Sequence, residues 1–278
     1  MQLTLTRDAE EFAARAGAFL AERVERNVLA TVLINARDGV YGEAPPLFAY
    51  GVGRAGEVRY AALRTPPWPL LTSAAEELDA QELIGRWLAE DADLPGLSGE
   101  PRPAEALAHA WERATGGRCS VRMRLALHTL VEVLEPPRPA PGRLRLAEPS
   151  ERGLLLAWES AFARDAHVAL SPSLEPLIDS RLAAGAQFLW DAGGPVSTLV
   201  VSPEVAGTVR IGPVYTPPEH RTHGYATSAV AAVCRRILES GAERCALFTD
   251  LANPTSNRIY ASVGFARVTE WKEYAFAG

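Results

Sequence analysis

Cysteine is scarce in this chain, and lysine is nearly absent. The 278 residues include three cysteines, which lie far apart at Cys119, Cys234 and Cys245. Cysteines so few and so scattered exclude a disulfide framework and a cysteine-based zinc site, and they favour a reduced, intracellular protein. Lys272 is the only lysine, so the chain offers almost no lysine side chains for self-modification.

Long apolar runs are also missing. No stretch approaches the roughly 18 apolar residues that a helix needs to cross a membrane, so we expect no membrane partner. The first residues, MQLTLTRDAEEF, place acids where a secretory signal has a basic end followed by an apolar run. Together these two absences predict a cytoplasmic protein.

An excess of basic charge is the third feature that the chain lacks. Lys and Arg total 28 against 34 Asp and Glu, so the formal net charge at pH 7 is -6. Proteins that bind nucleic acid in general need a basic surface to neutralise phosphates, and this balance therefore predicts no nucleic-acid partner. The motifs GxGxxG, GxxxxGK[ST], HExxH and GxSxG are absent, and the histidines show no metal-ligand spacing, so no metal is expected.

What is present indicates a folded protein of two domains. Hydrophobic residues make up 47% and charged residues 22%, which is ordinary for a globular chain, and the length favours two domains at about 150 residues each. The segment 135–142 reads EPPRPAPG, and its four prolines disfavour both a helix and a central strand. We therefore predict a first domain at 1–134, a proline-rich linker at 135–142 and a second domain at 143–278.

Hydrophobic periodicity predicts alternating helices and strands in the first domain. The stretch 91–102, DADLPGLSGEPR, reads as a loop. The predicted helices are Asp8–Arg26, Asp79–Glu90 and Pro103–Ala114, and the predicted strands are Leu47–Val52, Val58–Leu63 and Val121–Val133.

The pattern of the second domain is more explicit and predicts an α/β fold. The turn DAGGP separates two strands of a hairpin, and Asn253 followed by Pro254 marks the start of a short helix that ends at Gly264. A last pair of strands is predicted within Phe265–Phe276. The other predicted elements are a strand beginning at Arg143, helices Ser150–Arg164 and Tyr225–Ser240, and strands Gln187–Trp190, Val196–Val201, Gly207–Thr216 and Arg244–Asp250.

The loop Val214–Ala226, VYTPPEHRTHGYA, is the most informative stretch of the sequence. It joins a strand to a helix N-terminus, where free backbone N–H groups and the helix dipole favour a phosphate or pyrophosphate. Gly224 allows the backbone to approach a ligand closely, and Arg221 adds a positive charge. The alternative is an ordinary strand-to-helix connection with a tolerated glycine. Two histidines in this loop, His220 and His223, favour solvent or phosphate over a metal.

Two motifs in this half resemble the GNAT superfamily of N-acetyltransferases. Arg221, Gly224 and Ala226 match its Arg/Gln-x-x-Gly-x-Gly/Ala signature, in the expected place between a strand and an amphipathic helix. The segment 250–265, DLANPTSNRIYASVGF, is similar to the strand, short helix and Gly-Phe that follow in the same family. The resemblance covers most of residues 143–278. Either motif alone is moderately specific, and the two in this order and at this separation are a strong signal.

The resemblance implies the fold and the reaction. It implies two GNAT-like domains, each a mixed, mostly antiparallel sheet flanked by helices, of which the first is degenerate because it lacks the Arg-x-x-Gly-x-Ala loop. It also implies an N-acetyltransferase with acetyl-CoA as cosubstrate, bound where two parallel strands splay apart. The acceptor is then a primary amine of a small molecule or peptide, and a homodimer is possible in this family. Transfer is expected to be direct, in a ternary complex, because the motifs contain no cysteine.

The family's site residues carry over position by position. Val214 and Thr216 would offer backbone groups to the pantetheine arm, Asn253 and Asn257 would contact it, and the loop would hold the pyrophosphate. Tyr260 matches the tyrosine that protonates the leaving thiolate in many members. The full set of cofactor-binding residues implied in this way is Val214, Tyr215, Thr216, Arg221, Thr222, His223, Gly224, Tyr225, Ala226, Asn253, Asn257 and Tyr260.

Some assignments stay open at this level. The phenol of Tyr260 suits the chemistry, since it can donate a proton to a thiolate, but a core tyrosine packed against Phe265 fits the same pattern. Asn253 needs no role beyond capping its helix. No general base is assigned, and the candidates weighed are Glu204, His167, Glu159, Glu175 and Asp250, next to a water chain or an amine bound already neutral.

Two further alternatives concern the whole protein. The first domain would shape an acceptor cleft, with Trp68, Trp87 and Trp111 either lining it or packed in the core, which is the commoner fate of tryptophan. The chain could also be a binding module without turnover, such as an acyl-CoA sensor or scaffold. The missing obvious base motivates that alternative, and Tyr260 argues against it.

Overall fold

The computed structural model describes residues 1–42 and 44–277 of the chain. The fold consists of two compact units of similar size. The first contains Met1–Leu127, Asp250–Ala252 and residues 268–277, and the second contains His128–Thr249 and Asn253–Arg267. The predicted linker at 135–142 thus packs with the second unit, and the last strand of the chain contributes to the first. The domain limits given above stay a prediction.

The first unit is a sheet with helices packed on it. Its strands lie in the order β1-β2-β3-β4-β5-β12, antiparallel except for the parallel pair β4 and β5. The elements are β1 Gln2–Thr6, α1 Ala9–Ala21, α2 Asn27–Arg37, β2 Leu47–Val52, β3 Val58–Arg64, β4 Leu70–Thr72, α3 Ala80–Glu90, β5 Gly96–Gly99, α4 Pro101–Thr115, β6 Arg118–Leu130 and the C-terminal β12 Ala266–Ala277.

The second unit has the same kind of sheet. Its strands lie in the order β7-β8-β9-β10-β11, and β10 and β11 form the parallel pair. The elements are β7 Arg143–Leu146, α5 Arg152–Asp165, α6 Leu174–Ala183, β8 Gln187–Asp191, β9 Pro195–Val201, β10 Thr208–Tyr215, α7 Tyr225–Glu239, β11 Arg244–Asp250 and α8 Pro254–Val263.

The two units repeat one order of elements. From β1 to α4, and again from β7 to α8, the chain runs strand, two helices, three strands, helix, strand, helix. In each unit the parallel pair consists of the strands before and after the third helix. A right-handed helical crossover is the usual link between parallel strands, while hairpins join the antiparallel ones. The predicted fold class is therefore confirmed, and the repeat is much closer than the sequence had indicated.

Local signals explain where many helices begin and end. The side chain of Asp8 accepts hydrogen bonds from the backbone N–H groups of Glu10 and Glu11 at the start of α1. Asn253 does the same for Ser256 at the start of α8, directly before Pro254. Such caps satisfy N–H groups that the helix itself leaves free. Gly264 ends α8 with φ of 110°, a conformation that favours glycine.

Each unit has its own hydrophobic core. In the first unit Trp87 and Trp111 are buried among the side chains of the sheet and of α3 and α4, while Trp68 is half-buried. Of the two alternatives left open for these tryptophans, core packing holds for Trp87 and Trp111, whose large apolar surfaces stabilise the core. In the second unit the buried side chains of α7 pack against β9 and β10, and include Val230, Val233 and Cys234.

Four predictions of local structure need correction. The helix predicted at Asp8–Arg26 ends at Ala21, and a separate helix, α2, follows it. The loop predicted at 91–102 contains strand β5. The last strand pair is one continuous strand, β12. Elements β1, β4 and α6 had no predicted counterpart, because strands of three to five residues and a weakly amphipathic decapeptide carry little periodic signal.

Candidate functional site

A cleft opens between the two parallel strands of the second unit. Within the described chain, the ladder joins Thr208–Arg210 of β10 to Arg244–Ala246 of β11, although β10 continues to Tyr215. The pairing of β10 with β9 shifts register between Gly212 and Val214, on either side of Pro213. A bulge bends its strand, and proline has no N–H group to donate. β10 therefore leaves β11, and ligands favour such a crevice at the carboxyl ends of parallel strands.

The loop that follows β10 has an unusual backbone conformation. Thr222 has φ of 67° and Gly224 has φ of 80°, both in the left-handed region. Left-handed residues alternating with ordinary ones turn successive N–H groups to the same side and form an anion-binding concavity. Thr222 is not a glycine, so its conformation has a strain cost, which is typical of functional loops.

Gly224 is also the residue that precedes α7, and no side chain caps this helix. The first N–H groups of the helix, from Tyr225, Ala226 and Thr227, therefore remain available to a ligand. A side chain at Gly224 would be strained by its φ, and its Cβ would lie 3.6 Å from the carbonyl oxygen of Arg138. The positive end of a helix dipole, an absent cap and a small residue are together the features that favour anion binding.

Arg221 is tied to its surroundings by three contacts. Its Nη2 donates to Asp165 Oδ2 at 2.5 Å, its Nε donates to the carbonyl oxygen of Thr216 at 2.9 Å, and its guanidinium lies 5.8 Å from the ring of Tyr215. The two charged side chains are both close to half exposed, so this ion pair contributes little to stability. Its effect is to orient the loop that carries the free N–H groups.

Aromatic and hydroxyl side chains contact the end of β10 and fix its position. Tyr215 is buried, with its ring edge-on to Trp158 and Phe162 of α5 at 6.4 Å each. Ser197 Oγ donates to the carbonyl oxygen of Tyr215 at 3.0 Å and lies 2.9 Å from Thr216 Oγ1. Burial raises the pKa of the Tyr215 phenol, with Asp165 adding to the effect. These contacts fix the strand edge that includes Val214 and Thr216.

The predicted residues of the loop lie around the N-terminus of α7. His223 Nδ1 is 2.7 Å from the carbonyl oxygen of Arg221, and its ring stacks on Tyr225 with centroids 5.5 Å apart. Tyr225 packs partly against the core, and Ala226 is half-buried in the first turn of the helix. The histidine thus supports the shape of the loop.

Helix α8 holds the other predicted residues. Asn257 donates its backbone N–H to the carbonyl oxygen of Asn253 at 3.2 Å, in the first turn of the helix. Tyr260 follows three residues later, and its ring meets Phe265 edge-on at 5.8 Å. Burial, and to a lesser degree Cys234, raises the pKa of the Tyr260 phenol. The phenol therefore stays protonated at neutral pH, as a proton donor must. The contact with Phe265 also agrees with the core alternative.

Two of the base candidates are engaged in ion pairs between helices. Glu159 Oε2 lies 3.2 Å from Arg181 Nη1, and both side chains are mostly buried. Glu175 Oε2 lies 2.9 Å from Arg152 Nη2 on an exposed surface. Both pairs join α5 to α6. These carboxylates thereby have a structural role, and no general base is assigned.

Sequence reasoning missed one neighbour of the loop. The segment Arg138–Ala140 lies beside Gly224, with the backbone N–H of Ala140 donating to Ser228 Oγ of α7 at 2.9 Å. The carbonyl oxygen of Pro141 accepts from Trp190 Nε1 at 2.9 Å. The hydrogen bond between Ala140 and Ser228 joins residues that are 88 positions apart in the sequence, so no local pattern could have revealed it. The same segment places the exposed residue Arg138 beside Gly224.

The described residues offer no clustered metal ligands and no membrane-spanning helix. Within 1–42 and 44–277, His, Cys, Asp and Glu side chains form no group of three or more that could hold a metal ion. Over the same ranges, every helix is too short or too polar to cross a membrane.

Comparison with known proteins places the fold. Residues 196–275 match the family model described as FR47-like protein. No curated protein matches the chain. Among solved structures, a GNAT-family acetyltransferase from Colwellia psychrerythraea is similar, with 12% identity, a TM-score of 0.61 and 99% of both chains covered.

Two other solved structures agree. A GCN5-related N-acetyltransferase from Sphaerobacter thermophilus has 15% identity and a TM-score of 0.59 over 98% of this chain and 94% of its own. A tandem GNAT protein from the clavulanic acid biosynthesis pathway has 16% identity and a TM-score of 0.59 over 100% of this chain and 99% of its own. Identities this low establish a shared fold, and the resemblance predicted from the two motifs is confirmed at that level.

Proposed function

Because the chain has the fold of the GNAT acetyltransferases, we propose that it is an N-acetyltransferase that uses acetyl-CoA. The observation that carries the proposal is the second unit's cleft, where β10 leaves β11 directly above the uncapped N-terminus of α7. A thioester cosubstrate with a pyrophosphate needs both parts, an open strand edge for its extended arm and free N–H donors for its anion.

The residues present fit this cosubstrate. The left-handed conformations at Thr222 and Gly224 direct backbone N–H groups outward, and no side chain competes for them. In this proposal the backbone of Arg221–Ala226 holds the pyrophosphate, and the strand edge at Val214 and Thr216 pairs with the pantetheine arm. Asn253 and Asn257 contact the same arm from α8.

The chemistry assigned to the chain's own residues is proton delivery. The acceptor amine attacks the thioester carbonyl carbon, a C–N bond forms, and the C–S bond breaks to release a thiolate. Tyr260 donates its phenolic proton to that sulfur, and the proton that the amine nitrogen loses passes to solvent. The phenolate of Tyr260 then takes a proton back from solvent, which its raised pKa favours. Transfer is direct, in a ternary complex. The acceptor is a primary amine of a small molecule or peptide.

Release of free thiol tests the function. The purified chain is incubated with acetyl-CoA and a panel of primary amines, and coenzyme A thiol is titrated against a no-amine control. We expect release above the hydrolysis background with at least one amine. Measurable binding of coenzyme A without any release would support a non-catalytic sensor or scaffold instead.

A tyrosine variant tests the role of the acid. Tyr260→Phe keeps the ring and its contact with Phe265 but removes the proton, so kcat should fall about 100-fold or more while coenzyme A binding is retained. Unchanged kcat in the variant would assign Tyr260 to the core and leave the transferase proposal standing without this acid.

A further inference from the structure

The proline-rich segment 135–141 is fixed to the second unit beside the start of α7. The backbone N–H of Ala140 donates to Oγ of the buried Ser228 at 2.9 Å. The carbonyl oxygen of Pro141 accepts from Trp190 Nε1, also at 2.9 Å. Four of the seven residues of the segment are prolines, whose rings fix the backbone angle φ. The backbone of this segment therefore has little freedom left to lose when a ligand binds beside it.

Arg138 lies in this segment between two prolines. Its carbonyl oxygen would be 3.6 Å from a Cβ at Gly224, and Gly224 directly precedes the free N–H groups of α7. Arg138 is exposed, and within the part of the chain that the structure describes it makes no hydrogen bond or ion pair. A guanidinium keeps its charge in proteins and has five N–H donors. Arg138 thus offers an uncompensated cation next to the start of α7.

The arginine of the loop itself, Arg221, is already engaged. Its Nη2 donates to Asp165 Oδ2 at 2.5 Å and its Nε to the carbonyl oxygen of Thr216 at 2.9 Å, so two donors are in use and a carboxylate offsets the charge. His223 Nδ1 lies 2.7 Å from the carbonyl oxygen of Arg221 and must hold its proton there, which makes Nε2 of the neutral ring an acceptor. A side-chain cation for a phosphate is therefore best supplied from outside the loop.

The nearest carboxylate of the proline-rich segment also has its own partner. Glu135 Oε1 lies 2.6 Å from Arg235 Nη2 of α7, just as Asp165 pairs with Arg221. Exposed pairs of this kind contribute little to stability. Their effect here is that both acids are matched with cations other than Arg138, so an added phosphate would be the anionic partner that Arg138 lacks.

We propose that Arg138 binds the pyrophosphate of coenzyme A and supplies the side-chain charge of a site built otherwise from backbone N–H groups. The inference rests on the proposed function, which has the pyrophosphate at Arg221–Ala226. Hydrogen bonds between a guanidinium and a phosphate are charge-assisted and often bidentate. Because the prolines already fix the backbone, the entropic cost of binding is confined to the Arg138 side chain. The proline-rich segment is then part of the cosubstrate site as well as a connection.

Titration calorimetry of the full chain at low salt tests the proposal, with Arg138→Gln as the variant that removes the charge. The probes are coenzyme A and dephospho-coenzyme A, which keeps the pyrophosphate but lacks the 3′-phosphate. Both dissociation constants should rise about 10-fold. The difference from the parent should shrink at about 1 M salt, where the Debye length is about 3 Å. Unchanged affinity, a loss confined to coenzyme A, or a loss that high salt leaves unaltered would overturn the proposal.

Arg143→Gln is the matched control. Arg143 is an exposed arginine of the same unit, on strand β7 at the edge of the sheet, and is not a neighbour of Gly224. Its loss should leave both dissociation constants close to those of the parent, and equal losses in the two variants would assign the effect to net charge and overturn the role of Arg138. Thermal unfolding confirms that each variant is folded.

The parent protein separates this inference from the function on which it rests. A parent that binds no coenzyme A would overturn the proposed function and the role of Arg138 with it. A parent that binds coenzyme A, together with an Arg138→Gln variant that binds it equally well, would overturn only the role of Arg138.

Discussion

The junction between the fourth strand and the third helix occurs once in each unit, and its chemistry is opposite in the two. In the second unit the helix begins after Gly224, with no capping side chain and with Arg221 in the preceding loop. In the first unit it begins after Asp79, whose carboxylate accepts from the backbone N–H of Glu82, with Glu76 and Glu77 before it. The same backbone position can therefore attract or repel an anion, and the residue before the helix decides which.

The pair of parallel strands also differs between the two units. In the first unit the ladder continues to Thr72 and Gly99, the last residues of β4 and β5. A Cβ at Gly99 would collide with the Thr72 side chain, so these strands are closely packed at their ends. In the second unit the register shift around Pro213 leads β10 away from β11. A strand edge is thus open in one unit and closed in the other.

The largest expected effect comes from giving the start of α7 the acidic cap that the start of α3 has. Gly224→Asp places a carboxylate at the free N–H groups of α7, where it would cap the helix and repel a pyrophosphate. We expect the dissociation constant of coenzyme A to rise about 100-fold, which is about 2.7 kcal/mol. Isothermal titration calorimetry measures it directly.

Gly224→Asn is the matched control for that substitution. Asparagine has the same shape, tolerates the left-handed conformation about as well and carries no charge. It should weaken coenzyme A far less than aspartate does. If the two variants bind equally, charge at this position is not what separates the two junctions.

Removing the cap in the first unit tests the other half of the comparison. Asp79→Ala leaves the first N–H groups of α3 without an acceptor, and the free energy of unfolding should fall by about 1 kcal/mol. Coenzyme A binding should not change, since the second unit holds that site in our proposal. Chemical denaturation measures the loss, and Asp79→Asn, which still caps, should retain most of the stability. A large change in coenzyme A affinity would contradict this division between the units.

The sequence predicted those elements whose signal lies within a few neighbouring residues. The loop ending at Gly224 and the helix from Asn253 to Gly264 were predictable because capping residues, proline and glycine act within a few positions. The strands β4 and β5 escaped prediction because three or four residues are too few to show alternation. Helix α2, NVLATVLINAR, escaped because it is apolar around most of its surface and buried by tertiary packing.

Contacts between distant residues set the remaining limit for the site. Arg221 and Asp165 are 56 residues apart, and Ala140 and Ser228 are 88 apart. Only the fold brings them together, so periodicity and spacing could not have assigned Asp165 or Arg138 to the anion site.

The smallest expected effect concerns stability, at the start of the helix that follows the fifth strand of each unit, α4 in the first and α8 in the second. Asn253 caps it in the second unit, whereas Glu100 stands at the same place in the first and makes no cap, although proline follows both. Burial raises the pKa of Glu100 above its ordinary 4.5, so the folded state holds the proton more tightly than the unfolded state does. Well below pH 4.5 the carboxyl is neutral in both states and has no electrostatic cost. As the pH rises past the folded pKa, the folded protein alone bears a buried charge, and its stability falls.

Glu100→Gln removes that charge, so the melting temperature of the variant should exceed that of the parent by a margin that grows from pH 4 to neutral. Differential scanning calorimetry across this range measures the margin, with Glu105→Gln as the control on the same helix. A margin that shrinks as the pH rises would mean that Glu100 already has a cation in the folded chain. In that case the start of the helix after the fifth strand would not distinguish the two units electrostatically.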